Sequence, residues 1–187
     1  MQPEFDPKVI EAMRRWPSVP AVHGWLRLDR RGRWLLIDRG APGFEEALHG
    51  DGDPIRNPQI IDFIGRNYAS DDDGAWYWQN GPQRVFVDLD IAPWVLRVRS
   101  DTDDGRLLTH TGRLVHTVEQ VLASPTGELL VQTDLGPGVI HDLDLGALTL
   151  DDSGVLLHGR IWALESSDCP ADALGFVRRP RPPAAAA

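Results

Sequence analysis

One cysteine stands in this 187-residue chain, so Cys169 has no partner for an intramolecular disulfide, and no Cys/His spacing marks a zinc site. A reducing compartment is expected. Lysine is equally scarce: Lys8 is the only one among 19 basic side chains, the rest being arginine. Arginine beside abundant alanine, glycine and proline fits a GC-rich bacterial genome, which weakens it as a sign of phosphate binding. There is no long basic stripe, and a net charge of −9 would be repelled by a polyphosphate backbone, which argues against sequence-independent nucleic-acid binding. The runs Arg30-Arg31-Gly32-Arg33 and Arg178-Arg179-Pro180-Arg181 are short and read as a solvated turn and a tail. No apolar run approaches the roughly 18 residues of a membrane span, and the opening MQPEFDPKVIEAMRRW has no apolar signal core. A cytoplasmic protein without a membrane partner is expected.

Catalytic signatures are missing as well. There is no G-x-S-x-G, Ser166-Ser167 and Cys169 have no histidine nearby, and Asp134-Leu135-Gly136-Pro137-Gly138 has no following lysine or helix to make a phosphate loop. The acidic clusters Ser70-Asp71-Asp72-Asp73-Gly74 and Asp101-Thr102-Asp103-Asp104-Gly105 lack the spacing and the glutamate of an EF-hand and read as hairpin turns. His110 and His116 share a parity, but in a continuous strand they would lie roughly 20 Å apart at about 3.3 Å per residue. No catalytic residue, metal or cofactor is expected, and enzymatic activity is the least favoured of the functional readings.

What is present is enough apolar residue, 42%, to bury a core. Asp6-Pro7 is a helix start with an acceptor at the N-cap, and Val9, Ile10, Met13 and Trp16 recur on one face before Pro17. Asn57-Pro58 repeats the device ahead of Ile60, Ile61, Phe63, Ile64 and Tyr68. A shorter helical turn fits Phe44 to Leu48. Elsewhere the chain alternates apolar runs with four-residue polar turns ending in glycine, as at Asp29-Arg30-Arg31-Gly32, Ser124-Pro125-Thr126-Gly127 and Asp151-Asp152-Ser153-Gly154, with Asp103-Asp104-Gly105 as a degenerate fourth copy. Glycine at the end of such a turn supplies a positive φ and restores the strand twist. The expected fold is α+β: mostly antiparallel β-hairpins in repeated motifs, with two main helices packed on the sheets. Residues 1–95 are expected to form a helix plus hairpin-helix-hairpin subdomain, 96–177 a β-rich subdomain, and 178–187 a disordered tail.

The stretch WYWQNGPQR, residues 76–84, places Trp76 and Trp78 on one strand face and Tyr77 and Gln79 on the other, ahead of an Asn80-Gly81 turn and a return strand from Gln83 to Leu89. One face of this hairpin is expected to pack on the Asn57 helix through Phe63 and Ile64. Arg66 and Asn67 at the helix end, with Tyr77, Gln79, Asn80 and Arg84, would then converge as a guanidinium, amides and a stacking ring. For Arg66 a helix C-terminal cation is the competing role.

The segment Pro54 to Pro93, PIRNPQIIDFIGRNYASDDDGAWYWQNGPQRVFVDLDIAP, together with LDRRGRWLL upstream, resembles a proteobacterial domain-of-unknown-function family. The shared order is a hairpin bearing Asp-x-x-Gly-x-Trp, a Pro-Ile-x-Arg or similar helix entry, here Pro54-Ile55-Arg56, an amphipathic helix, Asp-x-x-Gly-x-Trp/Tyr and a return strand ending before Ala-Pro. The likeness extends over about the first 150 residues, and Gln83-Arg84 departs from it where glutamate and lysine are the related pattern. It implies an α+β fold with repeated structural motifs and a role in ligand-linked signalling, and it transfers no catalytic residue. The reading is a non-catalytic cytosolic binding protein for a small anionic ligand or a peptide terminus. The alternative is a protein-protein interaction module or homodimer using the aromatic hairpin as its surface.

Overall fold

Pro7 and Pro58 each open a helix, because proline at the first helical position has no N–H to leave unpaired and a φ already suited to the turn. The computed structural model describes residues 4–101 and 104–182, which fall into two units. The first comprises the chain to Asp29, Arg33–Asp90 and the segment from Val177; the second comprises Arg30–Gly32 and Ile91–Phe176. In chain order the first unit holds α1 (Pro7–Arg15), β1 (Val22–Leu28), β2 (Trp34–Leu36), α2 (Glu46–His49), β3 (Asp53–Pro54), α3 (Pro58–Arg66), β4 (Tyr68–Ser70), β5 (Trp76–Asn80) and β6 (Gln83–Leu89). Asn57 caps α3 as expected, its Oδ1 accepting from the Gln59 N–H at 2.9 Å. Asp6 does not cap α1: its carboxylate is turned toward Arg66 and Asn67 instead.

The six strands of this unit run in the order β3-β2-β1-β6-β5-β4. Within the hairpins pairing is antiparallel, with Leu26 opposite Leu36 and Tyr77 opposite Phe86. The two hairpins join through a parallel pair, β1 with β6, that no local pattern announced. The β5–β6 turn also differs from expectation. Asn80 stays in β5 opposite Gln83, and the turn residues are Gly81, at φ +57°, and Pro82, which has no N–H to lose. Alternation sends Trp76 and Trp78 to one face of β5 and Tyr77 and Gln79 to the other. α3 packs on the first face, where Ile64 is buried and Phe63 meets Trp78 edge-on at 5.8 Å. α1 packs on the second, joining Phe5 and Val9 to Ala69 and Tyr77, with Ile10, Met13 and Phe86 around them. Trp76 and Tyr77 retain 5% and 2% of their surface and Trp78 is half-buried, so the rings of the hairpin line the core. Each large side chain so buried contributes about 1.5–3 kcal/mol.

The second unit holds β7 (Trp94–Val98), β8 (Leu107–Thr109), β9 (Val118–Ala123), β10 (Leu129–Thr133), β11 (Gly136–Ile140), a 3-10 helix (Asp142–Ala147), β12 (Leu150–Asp151), β13 (Gly154–Leu157), β14 (Arg160–Trp162), β15 (Glu165–Ser166) and α4 (Pro170–Ala173). Six strands form a sheet in the order β15-β9-β10-β11-β7-β8, and β12-β13-β14 form a second. Parallel pairs again join the hairpins, β11 with β7 and β15 with β9. Trp94, Leu96, Leu107, Leu130 and Val131 are buried in its core.

One turn recurs in four places with the same bonds. Asp29, Asp71, Thr109 and Ser124 each donate the backbone N–H to the carbonyl four residues on, and each side-chain oxygen accepts that residue's N–H at 2.8–3.1 Å. The fourth residue is always a glycine, at φ between +78° and +88°. The Asp-x-x-Gly, Thr-x-x-Gly and Ser-x-x-Gly spellings are therefore one device, in which an oxygen at the first position and a positive φ at the fourth close the hairpin. At the third expected site the turn is shorter, with Asp151 opposite Gly154. Thr102 and Asp103, in the fourth expected copy, lie outside the described residues, as do 183–187 of the expected tail. Residues 177–182 make specific bonds: Val177 bridges in parallel to Ala75, Arg178 O accepts from the Leu89 N–H at 2.8 Å, and Pro180 is buried. Among the described residues no helix is long and apolar enough to cross a membrane. The fold is α+β, hairpins gathered into mixed sheets with α1 and α3 as the main helices.

Candidate functional site

Alternation along β6 sends Arg84, Phe86 and Asp88 to the face that α1 partly covers, beside Gln79 and Tyr77 of β5. The result is a continuous row. The Arg84 guanidinium lies 4.6 Å over the Tyr77 ring, Tyr77 meets Phe86 edge-on at 5.8 Å, and His23 stacks on Phe86 at 4.5 Å with 13° between planes. His23 belongs to β1, whose pairing with β6 slips between Val22 and Leu26. Beyond Phe86 stands Asp88, with Arg181 Nη1 at 3.4 Å from its Oδ1.

The electrostatics of that end are unusual for a surface. Burial raises the Asp88 carboxyl above the ordinary carboxylate value, and the charges of Arg181, Arg179 and Arg39 pull it back only in part. Burial also lowers His23, with Asp88 opposing that shift and Arg181 adding to it. Arg39 is fixed by its Nε–H donating to Gly24 O at 2.7 Å and by a two-pronged pair with Glu46. Arg179 is exposed and makes no hydrogen bond among the described residues. The charges of three guanidinium groups from two separate segments thus act on one half-buried carboxyl, and Arg181 pairs with it.

Of the residues expected to converge, Tyr77, Gln79 and Arg84 share this face. Gln79 is 1% exposed; its Nε2 donates to Gly81 O at 2.9 Å, while its Oε1 is buried without a hydrogen-bond partner. Arg66 and Asn67 are engaged elsewhere. Arg66 pairs with Asp6 at 3.3 Å, and Asn67, with no exposed surface, accepts the Asp6 N–H at 2.9 Å, donates to Phe63 O at 2.9 Å and gives its carbonyl to the Gln79 N–H at 2.8 Å. Burial would raise the Asp6 carboxyl, but the bonds from Arg66 and Asn67 outweigh it and hold the group low. Asn80 is exposed at the strand end. Sequence reasoning missed His23, Arg39, Asp88, Arg179 and Arg181. A charged residue within the otherwise apolar Val85-Phe86-Val87-Asp88-Leu89 was the one available signal.

In the second unit a shallow groove is lined by Arg30, Thr126, Glu128 and Asp142. Arg30 faces Glu128 at 3.7 Å and Arg31 faces Asp142 at 3.3 Å, while Ser124 and Thr126 hydroxyls donate to Glu128. The acids there are engaged within the fold. Among the described residues no three His, Cys, Asp or Glu side chains group as a metal site.

Comparison with solved structures gives a likeness of fold at low identity. A DUF1285 family protein from Silicibacter pomeroyi is 18% identical, with a TM-score of 0.53 over 79% of this chain and 84% of that one. A DUF1285 family protein from Shewanella baltica is 13% identical, with a TM-score of 0.45 over 66% of this chain and 88% of that one. Comparison with curated proteins gives no match. The family described as "Protein of unknown function (DUF2946)" matches residues 5–178, and the chain belongs to that family.

Proposed function

We infer that the chain is a non-catalytic, cytoplasmic binding protein that takes a small anionic ligand, a carboxylate or a peptide terminus, at the His23–Asp88 end of the row. One observation supports this reading: Arg181 pairs at 3.4 Å with a carboxyl that burial disfavours as an anion and that also feels the charges of Arg179 and Arg39, beside a stacked His23–Phe86 pair. A guest carboxylate offers Arg181 and Arg179 a planar, two-oxygen partner that guanidinium groups match well. Asp88, relieved of its ion pair, then takes up a proton and donates a hydrogen bond. Occupancy would be the event read in ligand-linked signalling.

A thermal-shift screen of organic acids, amino acids and nucleotides tests this, with each hit repeated on Arg179→Ala, His23→Ala and Arg84→Ala. A ligand at one hundred times its dissociation constant stabilises by about 2.7 kcal/mol, or roughly 5–10 °C for a chain of this length. Shifts lost in Arg179→Ala and His23→Ala but kept in Arg84→Ala support the site. Shifts lost only in Arg84→Ala move it to the Gln79 end, and no shift from any compound ends the ligand reading.

A further inference from the structure

We propose that β14 is a self-pairing edge, joining antiparallel to β14 of a second copy of this chain about Ile161. The strand closes one side of the sheet β12-β13-β14, and its ladder to β13 sets Val155 opposite Trp162, Leu156 opposite Ile161 and Leu157 opposite Arg160. In an antiparallel sheet the N–H and C=O of one residue point to the same neighbour, and successive residues alternate sides. The Leu156 N–H goes to Thr149 O, on the β12 side, at 3.0 Å. Val155 and Leu157 therefore face β14, and Arg160 and Trp162 answer them. The Trp162 carbonyl confirms the phase, because a Cβ on Gly154 of β13 would fall 1.9 Å from it. Ile161 is left with N–H and C=O both directed to the open edge.

That edge is complementary to itself. Two β14 strands antiparallel about Ile161 exchange two hydrogen bonds between the Ile161 residues and set Arg160 of each copy opposite Trp162 of the other. Within one chain the Arg160 guanidinium already lies 4.4 Å over the Trp162 ring, so the same cation–π contact forms reciprocally across the twofold. A closed dimer needs this palindromic arrangement, which an unrelated peptide strand would not match. The side chain at the centre is apolar and 52% exposed, with Leu164 exposed just beyond it. Three other sheet ends are blunted: β3 contains Pro54, β8 is bridged by Leu114, and β15 has two residues. β14 carries no proline, lysine or bulge of the kind that protects an edge. A strand this short buries less than a standard interface, so the dimer is weak and depends on concentration.

Sedimentation equilibrium of the full chain from about 10 µM to 1 mM tests the proposal, a range that spans weak association. The expected result is a weight-average mass that climbs toward two chains. Ile161→Pro removes the outward N–H without touching the bonds to β13 and should stay at one chain, with an unchanged melting temperature. Ile161→Lys, which charges the edge and keeps the N–H, should do the same and decides the matter if the proline variant is unfolded. A wild type of constant single-chain mass overturns the proposal, as does association of a folded Ile161→Pro or Ile161→Lys equal to wild type.

Discussion

The imidazole of His23 lies flat on Phe86, 4.5 Å between centroids, and that contact suits the neutral ring. Burial holds the His23 pKa below its ordinary 6.5, and burial together with Arg106 does the same to His158. With folded values below unfolded ones, the stability these groups contribute is complete above pH 6.5 and is lost as pH falls from there through the depressed values. Melting temperature should accordingly drop between pH 7 and 5, with a slope of at most about 1.4 kcal/mol per pH unit from each histidine. His23→Phe keeps the stack and should flatten part of that slope; an unchanged profile would show that the histidine does not carry it.

Asp88→Asn is expected to leave the protein as stable as before or slightly more so at pH 7, by about 1 kcal/mol or less. Burial raises the Asp88 carboxyl despite three arginines, so its favourable contribution is complete below the ordinary 3.8 and disappears as pH rises through the raised value. If the Arg181 ion pair dominated instead, the variant would be less stable than wild type, by under about 1 kcal/mol because Arg181 keeps more than half of its side chain exposed. Urea unfolding at pH 7 separates the two.

Asn67→Ala should be among the most damaging single changes in the first unit, with a loss of about 2–3 kcal/mol by denaturant unfolding. The substitution leaves the Asp6 N–H without its partner in a site with no exposed surface and leaves Phe63 O only the 3.3 Å bond from the residue 67 backbone N–H. Arg66→Ala removes only a half-exposed pair at 3.3 Å and should cost under about 1 kcal/mol.

Gly32→Ala and Gly127→Ala occupy equivalent places in the recurring turn, at φ +79° and +88°. Each alanine meets the backbone cost of the left-handed region, about 1–2 kcal/mol. At Gly127 nothing lies within 4 Å of an added Cβ, whereas at Gly32 it would sit 2.6 Å from His110 Cβ. Gly32→Ala should therefore melt several degrees below Gly127→Ala. Equal melting temperatures would show that His110 moves aside freely.

What the sequence made legible was local. Proline-headed helices at Pro7 and Pro58, the hairpin of residues 76–89 and the turns at Asp29 and Ser124 are each encoded within a few residues, and the structure has them. The domain-of-unknown-function resemblance is likewise upheld by the family match over residues 5–178. The parallel pairs β1–β6, β11–β7 and β15–β9 join strands distant in sequence, whose register no neighbouring residue encodes. The same limit governs the site. Tyr77, Gln79 and Arg84 share a face because strand periodicity requires it, but the parallel register brought His23 to Phe86, and the chain's return brought Arg181 to Asp88. Asp6 shows local rules outbid: it sits at an N-cap, yet Arg66 and Asn67 offer its carboxylate three donors.

Val177 bridges to Ala75, just before β5, and Arg178 bonds to Leu89, at the end of β6, though some ninety residues of intervening chain belong to the other unit. During synthesis the first unit therefore waits for its closing bonds while residues 91–176 leave the ribosome, a delay of several seconds at about 5–20 residues per second. The later-made unit can finish folding before the earlier one. A chain stalled before residue 177 would leave the strand ends at Ala75 and Leu89 without these bonds, making the emergence of Val177 and Arg178 the step at which quality control can tell a closed first unit from an open one.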